Sequence, residues 1–206
     1  MTHPSGGRRL RRAVALSFPV AFALHDLEEL LTAGRWGRTA PARIRRRFPR
    51  APERLVEMAA VTTPQMAVAV GVVGVGVAVT TGSALRDLDG ELGLLSASLA
   101  AYTAHGVTHL AQSALLRSYT PGVATVPLVI APYSVWAWRA LRRAGVPIDR
   151  VRLRRHLAVG SALALGLVFI GQAVGWLVAA AAQPGRGGDP RAASTVAGAR
   201  DGASPR

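Results

Sequence analysis

The sequence predicts an all-α protein, a polytopic transmembrane helix bundle with about five spans. Three observations carry that expectation. Apolar residues make up 50% of the chain and charged ones only 17%, a balance found in membrane proteins. The apolar residues fall in long blocks, at about 13–33, 59–85, 92–116, 121–138 and 157–182, each near or above the roughly 20 residues that cross a hydrocarbon core. Residues 66–79 are all apolar or glycine, whereas a helix of a soluble bundle would show a polar face.

The first block follows a basic N-terminal segment, residues 1–12, which contains Arg8-Arg9-Leu10-Arg11-Arg12. The same arrangement fits a secretory signal with Ala21-Phe22-Ala23 as the cleavage site. Cleavage there would leave the following acids at a new N-terminus, so an uncleaved first span is the preferred reading. Residues 34–58 carry eight arginines with Ile44, Phe48 and Leu55 among them, the pattern of a segment lying in the interface plane. The connections Arg86-Asp87-Leu88-Asp89-Gly90-Glu91 and Arg117-Ser118-Tyr119-Thr120-Pro121-Gly122 are short, which makes the blocks they join adjacent and antiparallel. Pro121, Pro127 and Pro132 mark the fourth block as the candidate for a broken or re-entrant helix. Gly171 and Gly175, and the run from Gly71 to Gly76, read as close-packing glycines. Trp36, Tyr133, Trp136 and Trp138 read as interface aromatics. The transmembrane domain is thus placed at 13–182, and the Gly/Pro/Ala/Ser/Arg stretch at 183–206 reads as a disordered tail.

All the positive charge is arginine, and the formal net charge is +14. These arginines lie between the apolar blocks, where they would meet lipid headgroups, so the expected partner is the bilayer and not a nucleic acid. Strict alternation puts basic connections on both faces, so the arginine bias does not choose an orientation. There is no cysteine, which removes disulfides, thiolate metal sites and cysteine nucleophiles. Nothing in the chain sets an oligomeric state.

Within the first block stands His25-Asp26-Leu27-Glu28-Glu29. An aspartate at the centre of a spanning helix costs about 2.5–3.5 kcal/mol on insertion scales, so these side chains need partners or water. On a helix Glu28 and Glu29 flank His25 on one face, while Asp26 points to one side. One imidazole with two carboxylates suits zinc, iron or manganese, and equally suits proton transfer. In the third block Ser98, Tyr102, His105, His109 and Gln112 form a polar stripe at spacings of four and three, with the two histidines one turn apart. With the first and third spans parallel, His25 falls roughly 18 Å from its helix start and His105 roughly 20 Å from its own. Glu28 and Glu29 at roughly 22–24 Å match His109 near 26 Å. Gln65, Thr125 and Gln172 fall in the same half of the bilayer, and with Tyr102, Gln112 and Tyr119 they are expected to line one pocket.

Other readings exist for each part. The acids could mark the end of a shorter first span, with side chains reaching the headgroups. His105 and His109 could be interhelical hydrogen-bonding groups.

The residues His25-x-x-Glu28-Glu29 in a short multi-span chain resemble the defining motif of the HXXEE family of uncharacterised membrane proteins. The resemblance covers residues 13–141 and includes the later histidines and the Tyr119-x-Pro121-Gly122 turn. It implies no activity, and it marks only His25, Glu28 and Glu29.

Three functions compete. In a metalloenzyme acting on a lipid-like or membrane-embedded substrate, His25, Glu28 or Glu29, His105 and His109 hold a divalent ion, and the remaining glutamate serves as catalytic base. Zinc is the first expectation for a hydrolase and iron for an oxidase. The intramembrane prenyl-protein proteases carry Glu-Glu-x-x-x-Arg, and here the arginine position is Ala33, which disfavours that type. A carrier of protons, metal ions or a small solute would use the same residues, although no internal repeat supports it. A non-catalytic scaffold would use the polar stripe only to lock helices.

Overall fold

The computed structural model describes residues 4–181; the tail expected at 183–206 lies outside the described residues. Six α-helices and one π-helical turn make up the fold, and no strand occurs among the described residues. Helix α1 (Pro4–Arg47) runs unbroken for 44 residues, about 66 Å. It absorbs residues 4–12 of the basic N-terminal segment and much of the arginine-rich stretch that the sequence assigns to the interface. Arginine, alanine and leucine are strong helix formers, and Arg45, Arg46 and Arg47 in the last turn complement the dipole. Only the short α2 (Glu53–Met58) forms separately.

Helix α3 (Thr63–Arg86) starts at a capping box, in which Thr62 N–H donates to Gln65 Oε1 at 2.9 Å and Gln65 N–H donates to Thr62 Oγ1 at 3.4 Å. Helix α4 (Gly93–Leu116) is bounded by two non-glycine residues in the left-handed region, Leu92 and Arg117. After the 117–125 turn comes a π-helical segment (Val126–Ile130) that leads into α5 (Ala131–Arg143). Pro127 and Pro132 lack N–H groups, so the regular ladder is interrupted and a wider turn forms, at the place where the sequence expects a broken helix. Helix α6 (Arg150–Ala181) completes the bundle.

Two helices, α3 and the stretch Arg150–Gly175 of α6, are long and apolar enough to cross a membrane. This is fewer than the five expected, because the polar residues of α1 and α4 and the shortness of α5 dilute the other blocks.

Arg11 ties one end of the bundle together: its guanidinium donates to Leu88 O at 2.9 Å, to Gly90 O at 2.8 Å and to Ala144 O at 3.0 Å. The N-terminal part of α1 and the loops before α4 and α6 therefore share that end, and α1 runs parallel to α4. The core between them contains Phe18, Leu95, Leu99, Tyr102, Ile130 and Leu141, all buried. Tyr102 donates to Ala21 O at 2.8 Å and meets Phe18 edge-on at 5.6 Å.

Helix α6 lies against α3 and α4 through small residues. A Cβ at Gly171 would stand 2.6 Å from Ala69 Cα, and one at Gly160 would collide with the Ala97 carbonyl. Gly74 and Gly76 face Phe22 and Leu167, but Gly71 faces open space and packs on nothing. Three of the four expected interface aromatics lie inward. Trp36 lines the central cavity, Tyr133 stacks on Phe18 and donates to Val14 O, and Trp138 donates to Thr103 Oγ1. Trp136 alone of the four is 42% exposed.

Candidate metal centre

Helices α1 and α4 each present a pair of side chains one turn apart: His25 and Glu29 from α1, His105 and His109 from α4. One ligand atom from each lies within 4.8 Å of all the others. His109 Nε2 is 3.1 Å from Glu29 Oε1 and 2.8 Å from His105 Nε2. His25 Nε2 lies 3.9 Å and His105 Nε2 4.0 Å from that same carboxylate oxygen. His25, Glu29 and His109 are buried, whereas the His105 side chain is 44% exposed and lines the cavity.

The protonation pattern of His25 follows from its neighbours. Thr125 Oγ1 lies 2.6 Å from Glu28 Oε2 and 3.0 Å from Gly122 O, and both can only accept, so the hydroxyl proton points to one of them. At 2.7 Å from Thr125 Oγ1, His25 Nδ1 is then the donor, and the Nε2 lone pair faces the cluster. That Nε2 is buried with no hydrogen-bond partner. The pattern matches metal-ligating histidines, whose second nitrogen is held by an oriented outer group.

Glu28 stands apart from the four. One carboxylate oxygen accepts from the Tyr119 hydroxyl and from Ala124 N–H at 3.2 Å, and the other accepts from Thr125 N–H at 2.7 Å and from Thr125 Oγ1. It straps the 119–125 turn onto α1, and its oxygens are occupied, which departs from the ligand or base expected of it. Tyr119 belongs to this strap and does not line the pocket; burial and the bond to Glu28 push its phenol above the usual value.

Gly122, at the tip of the turn with φ of +84°, roofs the cluster. A Cβ there would come within 2.7 Å of His109 Cε1, 2.8 Å of His25 Cε1 and 3.0 Å of Glu29 Oε1. Both the left-handed backbone and the missing side chain are required.

Below the roof opens a cavity of about 510 Å³ between α1, α3, α4 and α6. Tyr102, Gln112 and Gln172 are among its lining residues, while Gln65 belongs to the α3 cap. Asp26, which helix geometry alone set to one side, also lines it, 7% exposed and with Oδ2 unpartnered. Sequence reasoning missed this residue, although its i,i+3 relation to Glu29 was a usable signal.

Three imidazole nitrogens and one carboxylate oxygen fit a borderline divalent ion. Two Nε2 atoms 2.8 Å apart cannot both accept, and His25 Nε2 has no donor. A cation bound among these donors would engage all three lone pairs together, with the widest pair drawn in from its present separation of up to 4.8 Å.

No curated protein and no solved structure matches the chain. A family model, "Protein of unknown function with HXXEE motif", matches residues 16–137, more than half of the chain. The motif is His25-Asp26-Leu27-Glu28-Glu29, whose first and last residues enter the cluster while its middle glutamate holds the turn above it, and the chain belongs to the HXXEE family.

Proposed function

We propose that this chain is a multi-span membrane protein whose His25, Glu29, His105 and His109 hold one divalent metal ion, and that the centre acts on a lipid-like substrate. The observation that carries the metal is the convergence of three imidazole nitrogens and one carboxylate, with the His25 lone pair buried and partnerless. The membrane reading rests on an inverted pattern in α1. Leu16, Val20, Leu24, Leu27 and Leu31 are about half exposed or more, whereas His25, Asp26 and Glu29 are buried. In water such a helix would turn the other way, and in lipid the arrangement is favourable. Similar exposed residues, Val75 and Val79 on α3, Val107 and Leu110 on α4, Leu128 and Val135 beyond the turn and Phe169 and Leu177 on α6, extend the apolar surface round the bundle. This supports five crossings, by residues 13–33 of α1, by α3 and α4, by the π-turn with α5, and by α6.

Four protein donors fill a tetrahedral zinc ion but leave positions open on six-coordinate iron or manganese. A catalytic role therefore favours a six-coordinate ion such as iron or manganese over zinc. It also leaves Glu28 as a positioning residue, acting through Thr125 on His25.

Metal analysis by inductively coupled plasma mass spectrometry tests the centre, on protein purified in detergent without chelator. One ion per chain in the wild type, lost in His105→Ala and in Glu29→Gln, is expected. A folded, metal-free wild-type protein would overturn the proposal, and stoichiometric zinc would mark a closed, structural site and overturn its catalytic part.

A further inference from the structure

The cavity continues well beyond the cluster. His105, His109, Glu29, Gln112 and Gln172 line one part of it, Trp36, Val61 and Met66 lie beyond them towards the start of α3, and Thr80 and Ser98 line the opposite end. Between them the walls are almost entirely apolar, with Phe22 from α1, Val73 and Val77 from α3, and Ala164 and Leu167 from α6. The α6 wall alone, from Gly160 to Gln172, is about 18 Å long, more than half of a hydrocarbon core. An apolar slot of that length, at about 510 Å³, has room for one extended hydrocarbon chain.

Asp26 specifies the head of that chain. Its carboxyl group is buried, its Oδ2 lacks any partner, and it lies on the cavity wall. Buried polar groups are nearly always paired, so the missing partner is expected from the occupant. A cationic head would be repelled by a divalent ion next to it. A hydroxyl has both a hydrogen for the carboxyl and a lone pair to turn towards a cation.

We propose that this chamber binds a single-chain lipid whose terminal hydroxyl hydrogen-bonds Asp26 beside the cluster. The proposal deepens the metal-centre reading and rests on it for the role of the site, but chamber occupancy can be read separately. The probe is a long-chain primary alcohol with a diazirine in its tail, photolysed on the purified, metal-loaded protein and mapped by peptide mass spectrometry. Label is expected on Val73, Val77 and Leu167. Label confined to the outward-facing Val75, Phe169 and Leu177 would overturn the chamber.

In Asp26→Ala, labelling of the chamber by the alcohol should fall about tenfold, equivalent to about 1.4 kcal/mol, while an alkane probe of equal length labels as before. Equal labelling by the alcohol in both proteins would overturn the assignment of the head. Removing an unpaired buried carboxyl should not unfold the protein. Ala164→Trp, which fills the slot, should abolish chamber labelling by both probes without changing metal content. Chamber labelling of a metal-free wild type would sustain the lipid site and remove the metal reading, whereas stoichiometric metal without chamber labelling would do the reverse.

Discussion

The α1–α4 side and the α3–α6 side of the bundle are held by different physics. Between α1 and α4 with the turn that follows it lie polar contacts that depend on one another: the His25–Thr125–Glu28 series and the Tyr119–Glu28 bond to the turn, and the crowded Nε2 atoms of α4 beside Glu29. Between α3 and α6 there is close backbone contact at glycines, with Gly171 on Ala69 and Gly175 on the Gln65 backbone. A polar network is lost as a unit when one member goes, whereas a packed seam degrades locally. The first arrangement orients the four candidate ligand atoms, and the second walls the cavity.

Substitutions that separate the two sides should rank accordingly. Gly122→Val has the largest expected effect, since it places carbon atoms among His25, His109 and Glu29 and adds about 1–2 kcal/mol of left-handed backbone strain. Metal analysis should find no bound ion in that variant. Glu28→Ala removes the strap but no ligand, and should weaken metal affinity about 10–100-fold in a competition titration against a chelator. Thr125→Val takes away the acceptor for His25 Nδ1–H together with the hydroxyl's own bond to Glu28 or Gly122, but keeps the Thr125 N–H bond to Glu28; a loss of about tenfold is expected, largely restored by serine. Gly171→Ala acts on the other side. Overpacking against Ala69 should cost about 1–3 kcal/mol in thermal unfolding, with metal stoichiometry unchanged. Gly71→Ala, pointing into open space, should stabilise α3 by about 0.4–1 kcal/mol and leave both the site and the seam alone. If Gly171→Ala removed the metal, the independence of the two sides would be refuted.

The meeting of His25, Glu29, His105 and His109 was legible because one-turn spacing sets a shared face and the rise per residue sets depth. The division between the two glutamates was not. Glu28 and Glu29 flank His25 symmetrically on a helix, and only the N–H groups of Ala124 and Thr125, about a hundred positions later, draw Glu28 away. The Gln65 misassignment had a signal in plain view, since Thr62-x-x-Gln65 ahead of an apolar run is a capping box. The length of α1 was obscured by its arginines, whose positive charge resembles a connection while their helix propensity continues the helix. The inward aromatics depend on which helices meet, and local pattern carries no record of that.

The strap and the cluster also impose a schedule on synthesis. His25 finds Thr125 only across 100 residues of chain, and Tyr102 closes on Ala21 across 81. At about 5–20 residues per second, α1 is complete roughly 4–16 s before the turn that pairs Glu28 has been made. On the membrane reading, the first helix enters lipid carrying unmet polar groups, or waits at its edge until α4 arrives. The residues that make the site are thus also those left without partners longest while the chain is made.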